Sequence, residues 1–161
     1  MKVLYEDNHI IVVEKEPNIP SQADKTGDID ILTMVKQYIK EKYKKPGEVY
    51  IGLVHRLDRP VGGIMVFART SKAASRLSEQ IRNKTFKKKY LAVVDGKFAN
   101  PKGSLEDYLY KDERNNISKV VNKDKKNAKL AKLDYEVLNY DDKRDLSLVK
   151  IDLHTRKTSS N

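Results

Sequence analysis

His55-Arg56-Leu57-Asp58-Arg59-Pro60-Val61-Gly62-Gly63-Ile64-Met65-Val66-Phe67-Ala68, residues 55–68, is the stretch with the strongest structural signal in this sequence. Its second half, from Ile64 to Ala68, is a continuous apolar run, which predicts a central strand buried on both faces. Its first half holds a single carboxylate, Asp58, between two arginines. Because Pro60 favours an extended conformation at the residue before it and the glycines permit a close approach of backbone or ligand, we expect a loop at the edge of a sheet there.

Asp58 is the candidate reactive group of this loop. Arginines on both sides favour the ionised form of its carboxyl group. An ionised carboxylate that is held in position can act as a nucleophile or a general base. The same arrangement is also typical of a structural Arg–Asp ion pair at a strand end, and residue spacing alone leaves both interpretations open.

The sequence on both sides of this stretch predicts an α+β fold with a mixed, largely antiparallel sheet and flanking helices. Strands are predicted over residues 2–5, 9–13, 48–54, 64–68, 90–94, 131–138 and 146–153. One helix is predicted to begin at an N-cap Asp28 and to end at Pro46-Gly47, and a second to begin at Thr70 or Ser71. The polar segment 101–129 is ambiguous and receives no assignment.

The composition restricts the class of protein. The chain has 161 residues, no cysteine, and 33 lysines and arginines against 23 acidic residues, which leaves a net charge of +10. Disulfides, thiolate metal sites and cysteine nucleophiles are therefore excluded. No apolar run approaches the length of a membrane span, and no linker or repeat divides the chain. We expect a single domain over residues 1–161, located in the cytoplasm, with a polyanion as its partner.

Basic residues concentrate in two runs, residues 82–89 and residues 123–132. Lysines and arginines at this density can follow the phosphates of a nucleic acid, and they are also typical of a solvated protein face. His55 and Asp58 are three residues apart, but the other two histidines have no spacing that would complete a ligand set. We therefore expect no metal site.

Residues 55–68 closely resemble the signature of the RluA/RluD-type RNA pseudouridine synthases. That signature reads His-Arg-Leu-Asp, two variable residues, a Thr-Ser-Gly-like turn, and an apolar strand that ends in Ala. Here Val61-Gly62-Gly63 stands where Thr-Ser-Gly is usual. Two further segments are similar to motifs of the family, in the family's order: residues 5–15 to its opening strand pair, and residues 88–94 to its Lys-x-Tyr strand.

The resemblance implies isomerisation of specific uridines to pseudouridine in RNA, without a cofactor. The substrate would most often be ribosomal large-subunit RNA, and alternatively tRNA. By the same resemblance, Asp58 is the catalytic nucleophile, attacking the ribose C1′ or the uracil ring, and Tyr90 is a second catalytic residue that packs against the uracil. Arg56 would hold the nucleotide that is flipped out of the stack. The other RNA-binding residues expected in these motifs are His55, Arg59, Lys88 and Lys89.

Two other classes of function are compatible with the sequence. One is a non-catalytic RNA-binding module built on the same fold, and the other is an unrelated small-molecule enzyme with an aspartate nucleophile. A separate N-terminal RNA-binding domain is not expected, because the matching motifs begin close to residue 3.

The C-terminal residues depart from the family pattern. Residues 148–155 look like the strand that enters the family's third motif, which normally continues to His-Gln-Ile-Arg, where the closing Arg pairs with the catalytic Asp. This chain ends instead in Thr158-Ser159-Ser160-Asn161. Inserting one A into codons for Lys-His-His-Gln-Ile-Arg can yield these four residues and a stop codon. We therefore expect a frameshift that truncates the chain within the third motif, and weak or no isomerase activity from these 161 residues.

Overall fold

The computed structural model describes residues 1–154 of the chain. The predicted frameshift tail, Thr158 to Asn161, and the predicted truncation of the third motif lie outside the described residues. The chain divides into two compact units, Met1–Lys87 and Lys88–Asn161. The single domain predicted over residues 1–161 stays a prediction, and each unit is described by itself.

The first unit contains a four-stranded antiparallel sheet and two helices. Its elements are β1 (Lys2–Glu6), β2 (Ile10–Lys15), α1 (Ile31–Lys42), β3 (Gly52–Leu53), β4 (Gly63–Ala68) and α2 (Ser71–Arg82). The strand order is β1-β2-β4-β3. The apolar run of residues 64–68 therefore forms a strand with a hydrogen-bonded neighbour on each side, as predicted.

Helix α1 covers the core of the first unit. Its apolar residues Ile31, Val35 and Ile39 recur every four positions, which places them on one helix face. All three are at most 1% exposed. They belong to one apolar cluster with Met65 and Phe67 of β4, whose side chains are fully buried. The helix thus protects one face of the strand that follows the Asp58 loop.

The prediction that β4 is buried on both faces is wrong at its start. Ile64 is 64% exposed, whereas Ala68 at the other end of the strand is fully buried. The reason is the position of α2, which contacts β4. A Cβ built on Gly52 of β3 would touch Ala74 of α2 at 3.0 Å and Ala68 at 3.3 Å, so α2 covers this face only near Ala68.

The N-cap predicted for α1 is also corrected. Asp30, not Asp28, caps the helix, because its Oδ1 accepts a hydrogen bond from the backbone N–H of Thr33 at 2.9 Å. The Asp28 carboxylate instead binds the guanidinium of Arg59. At the second helix the prediction is confirmed in its first alternative, since Thr70 is the N-cap of α2.

The second unit is a five-stranded antiparallel sheet. Its elements are β5 (Lys89–Asp95), β6 (Lys102–Asp112), β7 (Ile117–Val121), β8 (Lys129–Asp141) and β9 (Leu146–Leu153), in the order β5-β9-β8-β6-β7. Strands β6 and β7 come from the segment 101–129 that received no prediction. Two helices and two antiparallel sheets confirm the predicted α+β class. In the part of the chain that is described, no helix is long and apolar enough to cross a bilayer.

Candidate active site

Asp58 lies in the loop that joins β3 to β4, as predicted, and the residue is exposed. Burial alternates along this loop: His55 is buried and Leu57 half-buried, whereas Arg56 and Asp58 are exposed. The chain turns immediately afterwards, where the carbonyl of Asp58 accepts a hydrogen bond from the N–H of Val61 at 2.9 Å. The loop therefore presents the carboxylate to solvent at the start of a tight turn.

Lys15, the last residue of β2, holds this loop through hydrogen bonds to backbone carbonyl groups. Its side chain is fully buried, and its Nζ donates hydrogen bonds to the carbonyls of Glu16 at 3.1 Å, Ile19 at 2.7 Å and Arg59 at 3.1 Å. Burial lowers the pKa of Lys15, and the charge of Arg59 lowers it further, whereas the carboxylate of Asp58 raises it. Lys15 thus joins the strand β2 to the backbone directly after Asp58, and brings a positive charge that the Asp58 carboxylate stabilises.

Ser21 holds the backbone directly before Asp58. Its hydroxyl donates to the carbonyl of Leu57 at 2.6 Å and accepts from the N–H of the same residue at 3.1 Å. Ser21 is only 6% exposed, so a buried hydroxyl satisfies both polar groups of Leu57. Neither Lys15 nor Ser21 was predicted as a site residue. A lysine at the end of an apolar strand was the available signal for the first, and nothing local distinguishes Ser21 from other loop serines.

Arg59, the residue after Asp58, is held by contacts with the loop between β2 and α1. Its guanidinium contacts the carboxylates of Asp24, at 3.5 Å, and Asp28, and its carbonyl accepts from the N–H of Asn18 at 2.7 Å. Arg59 is therefore paired with acids of this loop, residues 24 and 28, and not with Asp58, the pairing that the structural alternative for Asp58 predicts. Contact of Arg59 with RNA stays a prediction, and a phosphate would have to compete with Asp24 and Asp28 for its guanidinium.

Gly62 shows why the glycines of the motif are needed. A Cβ added at Gly62 would lie 2.9 Å from the Cδ of Pro17, closer than real Cβ contacts. The segment that carries Lys15 and Ser21 thus passes directly against the Asp58 loop, and the predicted close backbone approach is confirmed. We call residues 15–28 the clamp segment, because its contacts hold the residues on both sides of Asp58.

His55 supports strand β4. Its Nε2 accepts a hydrogen bond from the N–H of Val66 at 3.0 Å, just beyond the two residues of β4 that pair with β3. The ring also lies 5.5 Å from the ring of Phe86 and is 8% exposed. The imidazole therefore binds the backbone of β4 at the first residue that no longer pairs with β3. Its predicted contact with RNA is untested, as is that of the exposed Arg56.

The remaining predicted site residues belong to the second unit. Tyr90 is half-buried on β5, opposite Ile151 of β9. Lys89 is exposed beside it and lies opposite Asp152, and Lys88 directly precedes the strand. Their predicted roles, in catalysis for Tyr90 and in RNA binding for the lysines, stay predictions. Among residues 1–154, no group of three or more histidines and carboxylates is placed to hold a metal ion.

Comparison with known proteins connects this loop to a family. The family model described as RNA pseudouridylate synthase matches residues 9–160. RNA pseudouridine synthase YhcT of Bacillus subtilis is 29% identical over 159 residues, which cover 98% of this chain and 51% of the relative. Ribosomal large subunit pseudouridine synthase C of Buchnera aphidicola is 31% identical over 125 residues, which cover 78% of this chain and 38% of the relative. The chain spans about half the length of the curated relatives it matches.

A solved structure has the same fold. Human RNA Pseudouridylate Synthase Domain Containing 4 superposes with a TM-score of 0.78 at 22% sequence identity, covering 98% of this chain and 60% of the human chain. The agreement extends through both units, including the strands of the segment that received no prediction. Since the family model covers most of the sequence and includes the whole Asp58 loop, this chain belongs to the RNA pseudouridylate synthase family.

Proposed function

We propose that this chain catalyses the isomerisation of uridine to pseudouridine in RNA, with the carboxylate of Asp58 as the nucleophile. The observation that carries the proposal is the exposed Asp58 carboxylate on a loop whose neighbouring residues are fixed by buried hydrogen bonds. A nucleophile gains rate when its position is set before the substrate arrives, since less ordering is then needed in the transition state.

The proposed reaction changes only the bond between base and sugar. The C1′–N1 bond of the nucleotide breaks, the uracil turns, and a C1′–C5 bond forms while the C5 proton is released and N1 is protonated. Asp58 attacks either C1′ or the uracil ring and is regenerated at the end, so the net change is an isomerisation. Tyr90 packs against the uracil and assists the removal of the C5 proton.

The substrate that we propose is RNA of the large ribosomal subunit, with tRNA as the alternative. Support comes from the net charge of +10 and from relatives named ribosomal large subunit pseudouridine synthases. In this proposal Arg56 holds the flipped nucleotide, while Arg59, Lys88 and Lys89 contact the RNA backbone. We also propose the cytoplasmic location predicted from the sequence, since it is compatible with this substrate.

Tritium release from RNA that contains [5-³H]uridine tests the reaction, because the C5 hydrogen leaves only when the new bond forms. Protein is used in excess over RNA so that even a slow single turnover is detected. We expect weak release by the 161-residue chain and its loss, by roughly a thousandfold or more, for Asp58→Ala, since removal of a covalent nucleophile has effects of this size. Asp142→Ala, which removes an exposed carboxylate of the second unit, is the matched control and should release tritium at the unaltered rate.

Two outcomes would contradict the proposal. Equal release by the Asp58→Ala variant would show that this carboxylate is not the nucleophile. RNA retention without any release, by a chain whose circular dichroism spectrum shows that it is folded, would instead favour the non-catalytic RNA-binding module.

A further inference from the structure

The second unit carries a basic and aromatic surface that the proposed chemistry does not use. It consists of the last part of β6, all of β7 and the first part of β8, and we call residues 108–132 the basic arm. We propose, on the basis of the proposed function, that one face of the basic arm binds single-stranded RNA, with bases stacked on its tyrosine rings and phosphates bound by its lysines.

The strand register places the necessary side chains on one face. Tyr108 and Tyr110 are two residues apart on β6, so the alternation of a strand points both to the same side. Lys119 of β7 is paired directly with Tyr110, and Leu130 of β8 directly with Tyr108. Residues paired in this way share a face, which therefore combines two aromatic rings, an apolar side chain and an ammonium group.

The ring of Tyr110 is already in contact with a cation. The Nζ of the exposed Lys125 lies 5.2 Å from the centre of this ring, a distance typical of a cation–π interaction. Tyr110 is half-buried and Lys125 is exposed, so the ring face beneath this ammonium group borders solvent. A nucleotide that takes this place can stack its base on the ring and leave the ammonium group for its phosphate.

The charge of the basic arm favours a polyanion. Residues 108–132 contain eight lysines and arginines against three acidic residues, Asp112, Glu113 and Asp124. The basic arm includes the whole of the second basic run, residues 123–132. Each lysine that binds a phosphate releases counterions from the RNA, so the affinity should fall as salt is added.

On strand β6, two carboxylates lie on the face of the tyrosines, and both are engaged. Glu106 forms an ion pair with Lys132 at 3.1 Å. Asp112 accepts hydrogen bonds from the side-chain amide and backbone N–H of Asn115 and from the N–H of Arg114. The charge of Glu106 is thus compensated by Lys132, which reduces the repulsion that a phosphate would meet there, whereas Asp112 is hydrogen-bonded to neutral groups of the turn.

The aromatic rings select single strands over duplexes. Bases in an RNA duplex are stacked on each other and cannot lie on a protein ring, whereas unpaired bases can. Stacking depends little on base sequence, so this surface would increase the affinity for RNA around the modified uridine without determining which uridine is modified. The basic arm would therefore add affinity for unpaired flanking nucleotides.

Fluorescence anisotropy with a 12-nucleotide single-stranded oligouridine RNA tests the inference. The full chain carrying Tyr110→Ala should bind about tenfold more weakly than the unaltered chain, because one stacking partner is lost. Tyr110→Phe keeps the ring and should bind within twofold of the unaltered chain. Tyr5→Ala, at an exposed tyrosine of the first unit, is the matched control and should not change the affinity. Lys119→Ala should lower the slope of log affinity against log salt by about 0.7.

Several results would overturn the inference. If the unaltered chain does not bind this RNA, or if Tyr110→Ala binds it normally, no stacking surface exists there. If only Lys119→Ala weakens binding and an RNA duplex is bound equally well, the arm contacts phosphates alone. Tritium release is measured separately on the same proteins. If the unaltered chain releases tritium and Tyr110→Ala binds RNA with unaltered affinity, only the proposed RNA surface is contradicted. If binding depends on the Tyr110 ring but no tritium is released, only the proposed isomerisation is contradicted.

Discussion

In the first unit a helix lies across a four-stranded sheet, whereas in the second unit the described residues form a five-stranded sheet without a helix. The consequence is visible in the burial of apolar side chains. Of the described apolar residues that are buried, all but Val149 belong to the first unit. In the second unit, Leu91 and Val120 are both 66% exposed and Val93 is 64% exposed.

This difference indicates where the rigidity needed by the Asp58 loop comes from. The clamp segment and the loop are attached to β2 and β4, whose side chains form the buried cluster with α1. Because burial of apolar surface is the main stabilising term of a fold, the first unit should open rarely and the second unit more often. We therefore expect the proposed nucleophile to lie on the more rigid unit and the proposed RNA surface on the one that opens more often.

The largest expected effect concerns the core of the first unit. Phe67→Ala should destabilise this unit by about 3–5 kcal/mol, because it deletes a fully buried aromatic side chain and leaves a cavity. Leu91→Ala in the second unit, where the side chain is mostly exposed, should change the stability by less than about 0.5 kcal/mol. Hydrogen exchange followed by mass spectrometry of peptides measures the opening free energy of each unit separately.

Equal effects of the two substitutions would contradict the comparison between the units. Val149→Ala provides an internal standard within the second unit, because this side chain is only 2% exposed. Its effect should exceed that of Leu91→Ala, since burial and not strand position determines the cost.

The sequence predicted the elements of the first unit well because their signals are local. The spacing of Ile31, Val35 and Ile39 gives the face of α1, and the apolar run gives β4. In the second unit, residues 101–129 contain a long hairpin that was not predicted. The sequence feature that could have indicated this hairpin is its turn. Asp112 accepts hydrogen bonds from backbone N–H groups of the turn, and Asn116 has a positive φ of 50°, which asparagine tolerates. The many charged residues of the hairpin obscured the alternation of its strands.

The clamp segment illustrates what the sequence could not provide. Asp28 has the properties of an N-cap, and only the position of Arg59 in the folded chain explains why Asp30 takes that role instead. Likewise, Ser21 and Leu57 are 36 residues apart, and their two hydrogen bonds depend on the pairing of β2 with β4. The motif could be recognised from sequence, whereas the groups that hold it in place could be found only from the fold.

An intermediate effect is expected for Ser21. Ser21→Ala leaves the N–H and carbonyl of the half-buried Leu57 without this partner, and the loss of two hydrogen bonds should cost roughly 1–3 kcal/mol of stability. Ser104→Ala in the second unit removes an exposed hydroxyl that donates to Asp134 at 2.5 Å, and should cost less than about 0.5 kcal/mol. Urea denaturation followed by circular dichroism gives both values.

Activity separates a positioning role of Ser21 from a merely structural one. If Ser21 positions Asp58, Ser21→Ala should lower kcat more than it raises KM at a temperature where the variant is fully folded, and Ser21→Thr should restore part of the rate. A variant that is destabilised but has an unaltered kcat would show that the clamp stabilises the fold without influencing the nucleophile.

The smallest expected effect is a dependence on pH that belongs to the first unit. Burial opposes the ionisation of Glu6, but hydrogen bonds from Tyr43, Lys42 and Tyr38 outweigh it and lower the pKa of Glu6 from its ordinary value of 4.5 to about 2. Because the folded pKa is the lower one, the pair with Lys42 stabilises the fold above about pH 4.5, and this contribution is lost as pH falls towards 2. Since the Lys42 side chain is half exposed, solvent screening makes this contribution small.

Glu6→Gln should therefore lower the stability at pH 7 and remove the part of the acid-induced loss that falls between pH 4.5 and pH 2. The matched substitution in the second unit is Asp134→Asn, whose partner His154 is itself half exposed. Because both groups of that pair are open to water, its removal should leave the stability at pH 7 almost unchanged. Thermal unfolding of the three proteins between pH 2 and pH 7 gives the comparison. A Glu6→Gln curve parallel to that of the unaltered chain would show that the ion pair between β1 and α1 adds nothing to the rigidity of the first unit.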